Sequence, residues 1–533
     1  MRRAKHSPND RSITSGADVP GTGADVPATG ADVPGTGSDF LQLDIAAAPA
    51  GGRADWLADR LRRAISDGRV PVGGRLPASR VLAAELGVSR GVVTEAYQRL
   101  VEDGHVAGRG RAGTVVVAAP LVAPAPARSP APAPARSPAP APAWSPAPAG
   151  PPPAATLFAA DPGTDVFDSL RAAPARVDLS PGVPDLAAFP RAAWLRAERA
   201  VLGALASRDF GYGDPTGTPA LRRAVATWLA RTRGIRVDPR EVVIVSGVTQ
   251  ALMLLARVLR EDGITAVAVE DPGSLGVRQH LRAWQLDTPP VGVDGDGLRV
   301  DALRAGGHAA VMLTPAHQFP TGVVLSGDRR RQLMRWADDG GLVIEDDYDA
   351  EHRYDRPPVP ALRSMLADRV CYAGSVSKLL APALRVGWTV VPARYHDALV
   401  AAKRYADLGN AALPQLILAE LMESGLLERH LRLLRRRHVR RRDAMLAAVR
   451  THLPGAVVHG AAAGLHLTVT FDTDVADTDL AAAALARGVK AHPLSWHRQR
   501  PGPPGLVLGY AANTPTDIAT GIAAIGAALR GLR

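Results

Sequence analysis

The sequence predicts a multidomain protein. An N-terminal helix-turn-helix module with a hairpin wing is followed by a large C-terminal α/β domain on a parallel sheet. Three observations predict this. The 533 residues exceed what a single hydrophobic core serves. Of the 46 prolines, 19 fall in two tracts, residues 1–50 and 119–160, which set off stretches of ordinary globular texture. From residue 161 onward, apolar runs ending in Gly, Ser or Asp alternate with helical periodicity, as strands feeding helices do.

Composition narrows the function classes. Formal net charge is +11 and the pI is about 10.3, which suits a polyanionic partner such as DNA. Cys371 is the only cysteine, so a disulfide framework is excluded and a reducing, cytoplasmic setting is expected. The start, MRRAKHSPNDRS, is basic with no apolar segment behind it, unlike a signal peptide. No uncharged apolar run reaches membrane-spanning length.

Residues 1–50 carry a seven-residue repeat, GADVPGT at Gly16, GADVPAT at Gly23 and GADVPGT at Gly30. A period this short, with proline in each unit, cannot bury a core and reads as a disordered tail. The texture changes over residues 51–118. Trp56, Leu57, Leu61 and Ile65 recur at helical spacing, and Gly68 and Pro71 end that helix. A second helix is expected to be capped by Ser79 and stopped at Gly87, and a third to be capped by Ser89 and closed at Gly104. HVAGRGRAGTVVV then reads as a hairpin with Arg109-Gly110-Arg111 at its tip.

Helix, glycine turn, helix is the arrangement that lays its second helix in the major groove. It is also found as a plain three-helix core with solvated arginines. The ordered run LPASRVLAAELGVSRGVVTEAYQRLVEDG, within Arg53–Val117, closely resembles the winged-helix DNA-binding domain of the GntR regulators. That resemblance implies DNA contacts from Arg80 on the first helix of the motif. It implies further contacts from Ser89, Arg90 and Thr94 on the recognition helix, with Arg75, Arg109 and Arg111 beside them.

Residues 119–160 are an Ala/Pro-rich linker with an eight-residue beat, SPAPAPAR at Ser129 and SPAPAPAW at Ser137. Repeated Ala-Pro favours polyproline II, a semi-rigid spacer rising about 3.1 Å per residue. Residues 161–533 form the large domain. EVVIVSG, TAVAVEDPGS, AAVMLTPAHQFPTG and GLVIEDDYDAE read as strand-to-loop units, so functional residues are expected at the carboxyl ends of strands.

The chemistry centres on VCYAGSVSKLLAPALRVGWTVV from Val370. Lys378 follows Ser375 and Ser377, with Arg385 seven residues on. Hydroxyls and a guanidinium suit a phosphate held beside an amine that forms a Schiff base. Gly247-Val248-Thr249 joins a strand to a helix N-terminus, a second anion site. Asp346 reads either as the partner of a protonated pyridine nitrogen or as a helix-capping acid. Tyr348 reads either as a donor to a phenolic oxygen or as half-buried filling.

The order of these motifs resembles the fold-type I aminotransferases. With YGDPTG (Tyr212–Gly217), EDPG, HQFPTG (His317–Gly322), EDDYDAE and GSVSK behind a GntR-type head, the chain looks like the MocR/PdxR subfamily of bacterial regulators. The implied fold is a winged helix-turn-helix joined to a fold-type I aminotransferase-like domain, and the implied cofactor is pyridoxal 5'-phosphate. Lys378 would carry the Schiff base, Asp346 would meet the pyridine nitrogen and Tyr348 the phenolic oxygen. The N-terminus at Val248 and Thr249, with Ser375, Ser377 and Arg385, would hold the phosphate. Tyr212 would reach the phosphate of the opposite subunit, implying a homodimer.

Three positions depart from that pattern. Ser274 stands where many relatives stack a tyrosine on the cofactor. Phe319 stands where aminotransferases keep an asparagine, and Val507 where they keep the arginine that fixes the substrate carboxylate. The basic run Glu428–Asp443 reads either as a DNA contact or as a solvated helix face. The sequence therefore predicts a cytoplasmic, homodimeric DNA-binding regulator sensing pyridoxal phosphate or its adduct with an amine or amino-acid effector. Two readings compete with it: an active aminotransferase with an appended DNA-binding domain, and a cofactor-free regulator whose large domain only dimerises.

Overall fold

The computed structural model describes residues 45, 48–49, 52–67, 69–102, 105–108, 113–117, 157–158, 162–354 and 359–533. The repeat tail, residues 119–156 of the linker, and Arg109 and Arg111 at the wing tip lie outside the described residues. The chain divides into two compact units, each taken by itself below.

In the first unit, α1 (Arg53–Ser66), α2 (Ser79–Glu85) and α3 (Arg90–Glu102) are followed by β1 (Val106–Gly108) and β2 (Thr114–Val116), which pair as a two-stranded wing. Leu57, Leu61 and Ile65 of α1 are buried as their spacing predicts, together with Leu82, Val93 and Leu100. Trp56 is only half-buried and carries Arg60 over its ring. Ala78, not Ser79, is the N-cap of α2, and no side chain caps it, so the expected serine cap is corrected. Arg75 pairs antiparallel with Val115, which ties the segment before α2 to the wing.

The large unit begins earlier than composition suggests. Leu157 and Phe158 belong to its core, and Phe158 stacks on Trp496 at 5.3 Å between ring centroids. Sixteen strands are described in all. After β3 (Val177–Asp178), the main sheet contains β4 (Val243–Val245), β5 (Ala268–Asp271), β6 (Pro290–Asp294), β7 (Gly297–Leu298) and β8 (Ala310–Leu313). It continues with β9 (Leu342–Asp347), β10 (Val370–Ser375) and β11 (Gly387–Val390), in the order β4-β11-β10-β9-β8-β5-β6-β7. The run β10-β9-β8-β5-β6 is parallel, while β11 runs antiparallel to both β10 and β4.

Both faces of the sheet are covered, so its strands read as continuous apolar runs. Cys371 and Ala373 point into one core with Leu252 and Leu255, and Tyr372 into the opposite one with Trp228 and Trp388. A smaller sheet orders β12 (Val457–His459), β13 (His466–Thr470), β16 (Gly505–Gly509) and β15 (His492–Pro493); β14 (Val489–Lys490) pairs with β3. Helices Leu426–His452 and Pro515–Leu532 pack on it. No described helix is long and apolar enough to cross a membrane.

Candidate functional site

Three strand ends build a cradle for an anion. β4 ends at Val245, and Gly247, at φ +80, turns the chain into helix Val248–Glu261. No side chain caps that helix, so the N-terminus at Val248 and Thr249 offers amide donors and the positive end of the dipole. Because β11 runs antiparallel to β4, Arg385, just before β11, comes back beside Gly247 and donates to the Ser246 carbonyl. The left-handed φ of +80 at Gly247 is what requires glycine here, while a Cβ would only meet the Arg385 guanidinium at ordinary van der Waals contact. Ser375 sits opposite Gly387 at the end of β10, and the Ser377 amide donates to its Oγ at 3.4 Å.

A part-buried network centred on the buried Lys403 braces this turn from behind. Lys403 donates to Asp407 at 2.9 Å and to Asn410 Oδ1 at 2.7 Å, and Asn410 in turn donates to Ser246 Oγ.

The acid and the amine lie at neighbouring strand ends. Asp346, opposite Ala373, is buried, and its Oδ1 has no hydrogen-bond partner among the described residues. Burial first, then repulsion from Asp347 and Asp349, pushes its carboxyl up to about 7, against the pull of Lys378. Asp347 is committed elsewhere: buried Arg233 donates to it at 2.6 Å and the Tyr372 hydroxyl at 2.6 Å. Lys378 donates to the Gly182 carbonyl, and burial lowers its ammonium below the ordinary lysine range while Asp349 and Asp346 oppose that shift. An unpartnered buried acid, a depressed amine and an anion cradle together fit the donor set that pyridoxal phosphate requires.

Sequence reasoning assigned no role to His317 and Asp349. His317 Nδ1 lies 2.9 Å from Asp349 Oδ2 and 3.1 Å from the half-buried Tyr348 hydroxyl, which donates to the His317 carbonyl at 3.1 Å. The contact follows from β8 and β9 being adjacent and parallel, so their following loops meet. His317, Asp349 and His466 offer ligand atoms within 4.8 Å of one another, but the His317–Asp349 bond and a His466–Pro320 bond of 3.2 Å already occupy the cluster. Burial holds His466 down at about 3, as a neutral ring.

The three departures have structural roles. Ser274 caps helix Leu275–Ala283, its Oγ accepting from Val277 N at 3.3 Å. Phe319 packs edge-on to Tyr348 and His497. Val507 is fully buried in β16 opposite Thr468 and His492, with no charge of its own to offer a carboxylate. Tyr212 is 95% exposed and makes no hydrogen bond among the described residues. In the first unit Arg75, Arg80, Ser89, Arg90 and Thr94 are all exposed; Arg90 and Thr94, four residues apart, share one face of α3.

Fold and site define a class: a helix-turn-helix regulator domain joined to an aminotransferase domain. Residues 53–116 match the model of the bacterial regulatory proteins, gntR family, and residues 175–517 that of aminotransferase class I and II. The chain belongs to the gntR-type regulators of the MocR/PdxR kind, whose large unit is an aminotransferase class I and II domain.

It is 31% identical over 485 residues to the probable rhizopine catabolism regulatory protein MocR of Rhizobium meliloti, spanning 89% of this chain and 93% of that one. It is 29% identical to the pyridoxine biosynthesis transcriptional regulator PdxR of Corynebacterium glutamicum, with 86% and 91% covered. Among solved structures, an α-aminoadipate aminotransferase of Thermus thermophilus, complexed with N-(5'-phosphopyridoxyl)-L-leucine, superposes with a TM-score of 0.63. The two are 27% identical, and 69% of this chain and 95% of that one are covered.

Proposed function

We propose that this protein is a cytoplasmic transcriptional regulator that binds DNA through its winged helix and reads pyridoxal 5'-phosphate, or an amine or amino-acid adduct of it, through its aminotransferase-like unit. The observation that carries the reading is the buried, unpartnered Asp346 carboxyl beside Lys378, at the edge of an anion cradle, in a chain that also carries a helix-turn-helix.

In this reading the amides of Val248 and Thr249, the hydroxyls of Ser375 and Ser377 and the Arg385 guanidinium hold the phosphate. When bound, the cofactor supplies an aldehyde for an amine and an electron-withdrawing ring. Lys378, its amine favoured in the neutral form by burial, would be the amine that meets that aldehyde. Asp346 would gain a cationic partner at the pyridine nitrogen, which would favour its ionised form. Tyr348, whose hydroxyl now donates to the His317 carbonyl, would turn that donor to the phenolic oxygen when the cofactor binds, with His317 Nδ1 beside it. Tyr212, with Phe210 also exposed, supports a homodimer in which each copy completes the partner's phosphate site.

Val507 and Phe319 favour sensing over turnover, because a carboxylate docked without a bidentate cation loses its strongest anchor. The test incubates the purified full chain with amino donors, 2-oxo acids and the cofactor. It also follows binding to genomic DNA fragments with and without the cofactor. The expected result is cofactor-dependent DNA binding without multiple turnovers. Sustained transamination with DNA binding indifferent to the cofactor would overturn the reading.

A further inference from the structure

The arginine-rich helix Leu426–His452 sorts its charges by face. It carries nine arginines and only two acids, Glu428 and Asp443. Both acids are already paired, Glu428 with Arg231 and Asp443 with Arg442. Arg437 and Arg441 turn inward and close on the buried Asp185 at 2.7 and 2.8 Å. Arg435 donates to the Tyr354 carbonyl at 2.9 Å. Arg429, Arg432, Arg436 and Arg440 are exposed and have no ion-pair partner among the described residues.

At about 100° per residue these four fall within roughly 80° of one another, and at about 1.5 Å per residue they span about 16 Å of helix. They form one cationic stripe on the rim of an open groove lined by Leu433, Arg435, Arg436, Arg437, Val439 and Arg440. Solvation alone does not require four unpaired guanidinium groups in register, since the inward arginines already serve the fold.

We propose that this stripe is a second DNA-binding surface, on the aminotransferase-like unit, that contacts the phosphate backbone of the duplex engaged by the winged helix. The proposal rests on the DNA-binding reading above. Charge complementarity selects the occupant. B-DNA offers one negative charge per about 1.7 Å of axis, so a stripe of this length faces several phosphates. Arginines without base-reading neighbours supply sequence-independent affinity, which positions a complex without specifying it. The prolonged Ala/Pro tract of residues 119–160 gives the chain length for both units to engage one duplex.

The experiment uses the full-length protein and a random-sequence duplex of about 40 base pairs, with affinity followed by anisotropy from about 50 to 200 mM salt. The triple variant Arg432→Gln/Arg436→Gln/Arg440→Gln is compared with the control Arg223→Gln/Arg260→Gln/Arg335→Gln, which removes the same charge from exposed sites elsewhere. Unchanged unfolding midpoints establish that both variants are folded.

At about 0.9 per phosphate contact, the slope of log affinity against log salt should fall by about 2.7 in the stripe variant, with at least tenfold weaker binding, and stay unchanged in the control. A stripe variant that tracks the control overturns the proposal and leaves the winged-helix reading standing; a stripe serving an acidic protein surface gives that result. Wild-type protein that binds no duplex overturns both.

Discussion

Replacing Asp346 with asparagine should stabilise the cofactor-free protein while weakening its hold on the cofactor. Asn is nearly isosteric and removes only the charge. In the fold the Asp346 carboxyl is pushed to about 7, chiefly by burial, whereas in the unfolded chain it titrates near 3.9. A carboxyl raised on folding holds its proton more tightly in the native state. Its stabilising contribution is therefore complete below about pH 4 and is lost as pH rises through about 7. At about 1.36 kcal/mol per pH unit, the full loss is about 4 kcal/mol, of which about 2 kcal/mol falls between pH 5.5 and 8.5.

Glu270, Glu345 and Glu351 are raised to about 7 as well, so the wild-type slope alone does not isolate one acid. The difference between wild type and Asp346→Asn does. Urea unfolding without cofactor at both pH values should show the variant gaining about 2 kcal/mol on wild type at the higher pH. Cofactor affinity should fall about 10- to 150-fold, the loss of one charged hydrogen bond. A stability difference that stays flat across pH, or unimpaired cofactor binding in the variant, refutes the reasoning.

Other outcomes follow from the same geometry. Borohydride reduction of the cofactor-loaded protein should label the peptide containing Lys378; label on Lys403, which is locked to Asp407 and Asn410, would contradict the site. Arg385→Gln should weaken binding of the cofactor at least tenfold while barely moving the unfolding midpoint, because the side chain is exposed, as a calorimetric titration would show. Arg90→Ala should relax specific DNA binding by about 1–3 kcal/mol with much less effect on random duplex, read by competition footprinting. Asp349→Asn should shift the pH at which the bound cofactor's absorbance titrates, since the carboxylate that orients His317 behind Tyr348 is lost; an unmoved midpoint would make the pair merely structural.

Much of this architecture was legible because its signals are local. α1 shows its face through Leu57, Leu61 and Ile65, and β9 and β10 read as apolar runs because helices cover both faces. Gly247, Asp346 and Ser375 mark strand ends by residue type alone. What stayed hidden depends on contacts far apart in sequence. The His317–Asp349 hydrogen bond exists because β8 and β9 are neighbours. Leu157 and Phe158 look like linker by composition, yet they bury against Trp496, more than three hundred residues away. The cap at Ser79 failed for a smaller reason: the helix begins one residue earlier than the serine needs to cap it. The basic run Glu428–Asp443 hid two populations, inward arginines bound to Asp185 and outward ones facing solvent, and only the placement of Asp185 separates them.

The most direct test of the account is an absorbance titration of the purified full chain with pyridoxal phosphate, run beside Lys378→Ala. The wild type should show a long-wavelength band that saturates at one cofactor per chain and is missing from the folded variant. Identical spectra for the two proteins would contradict it.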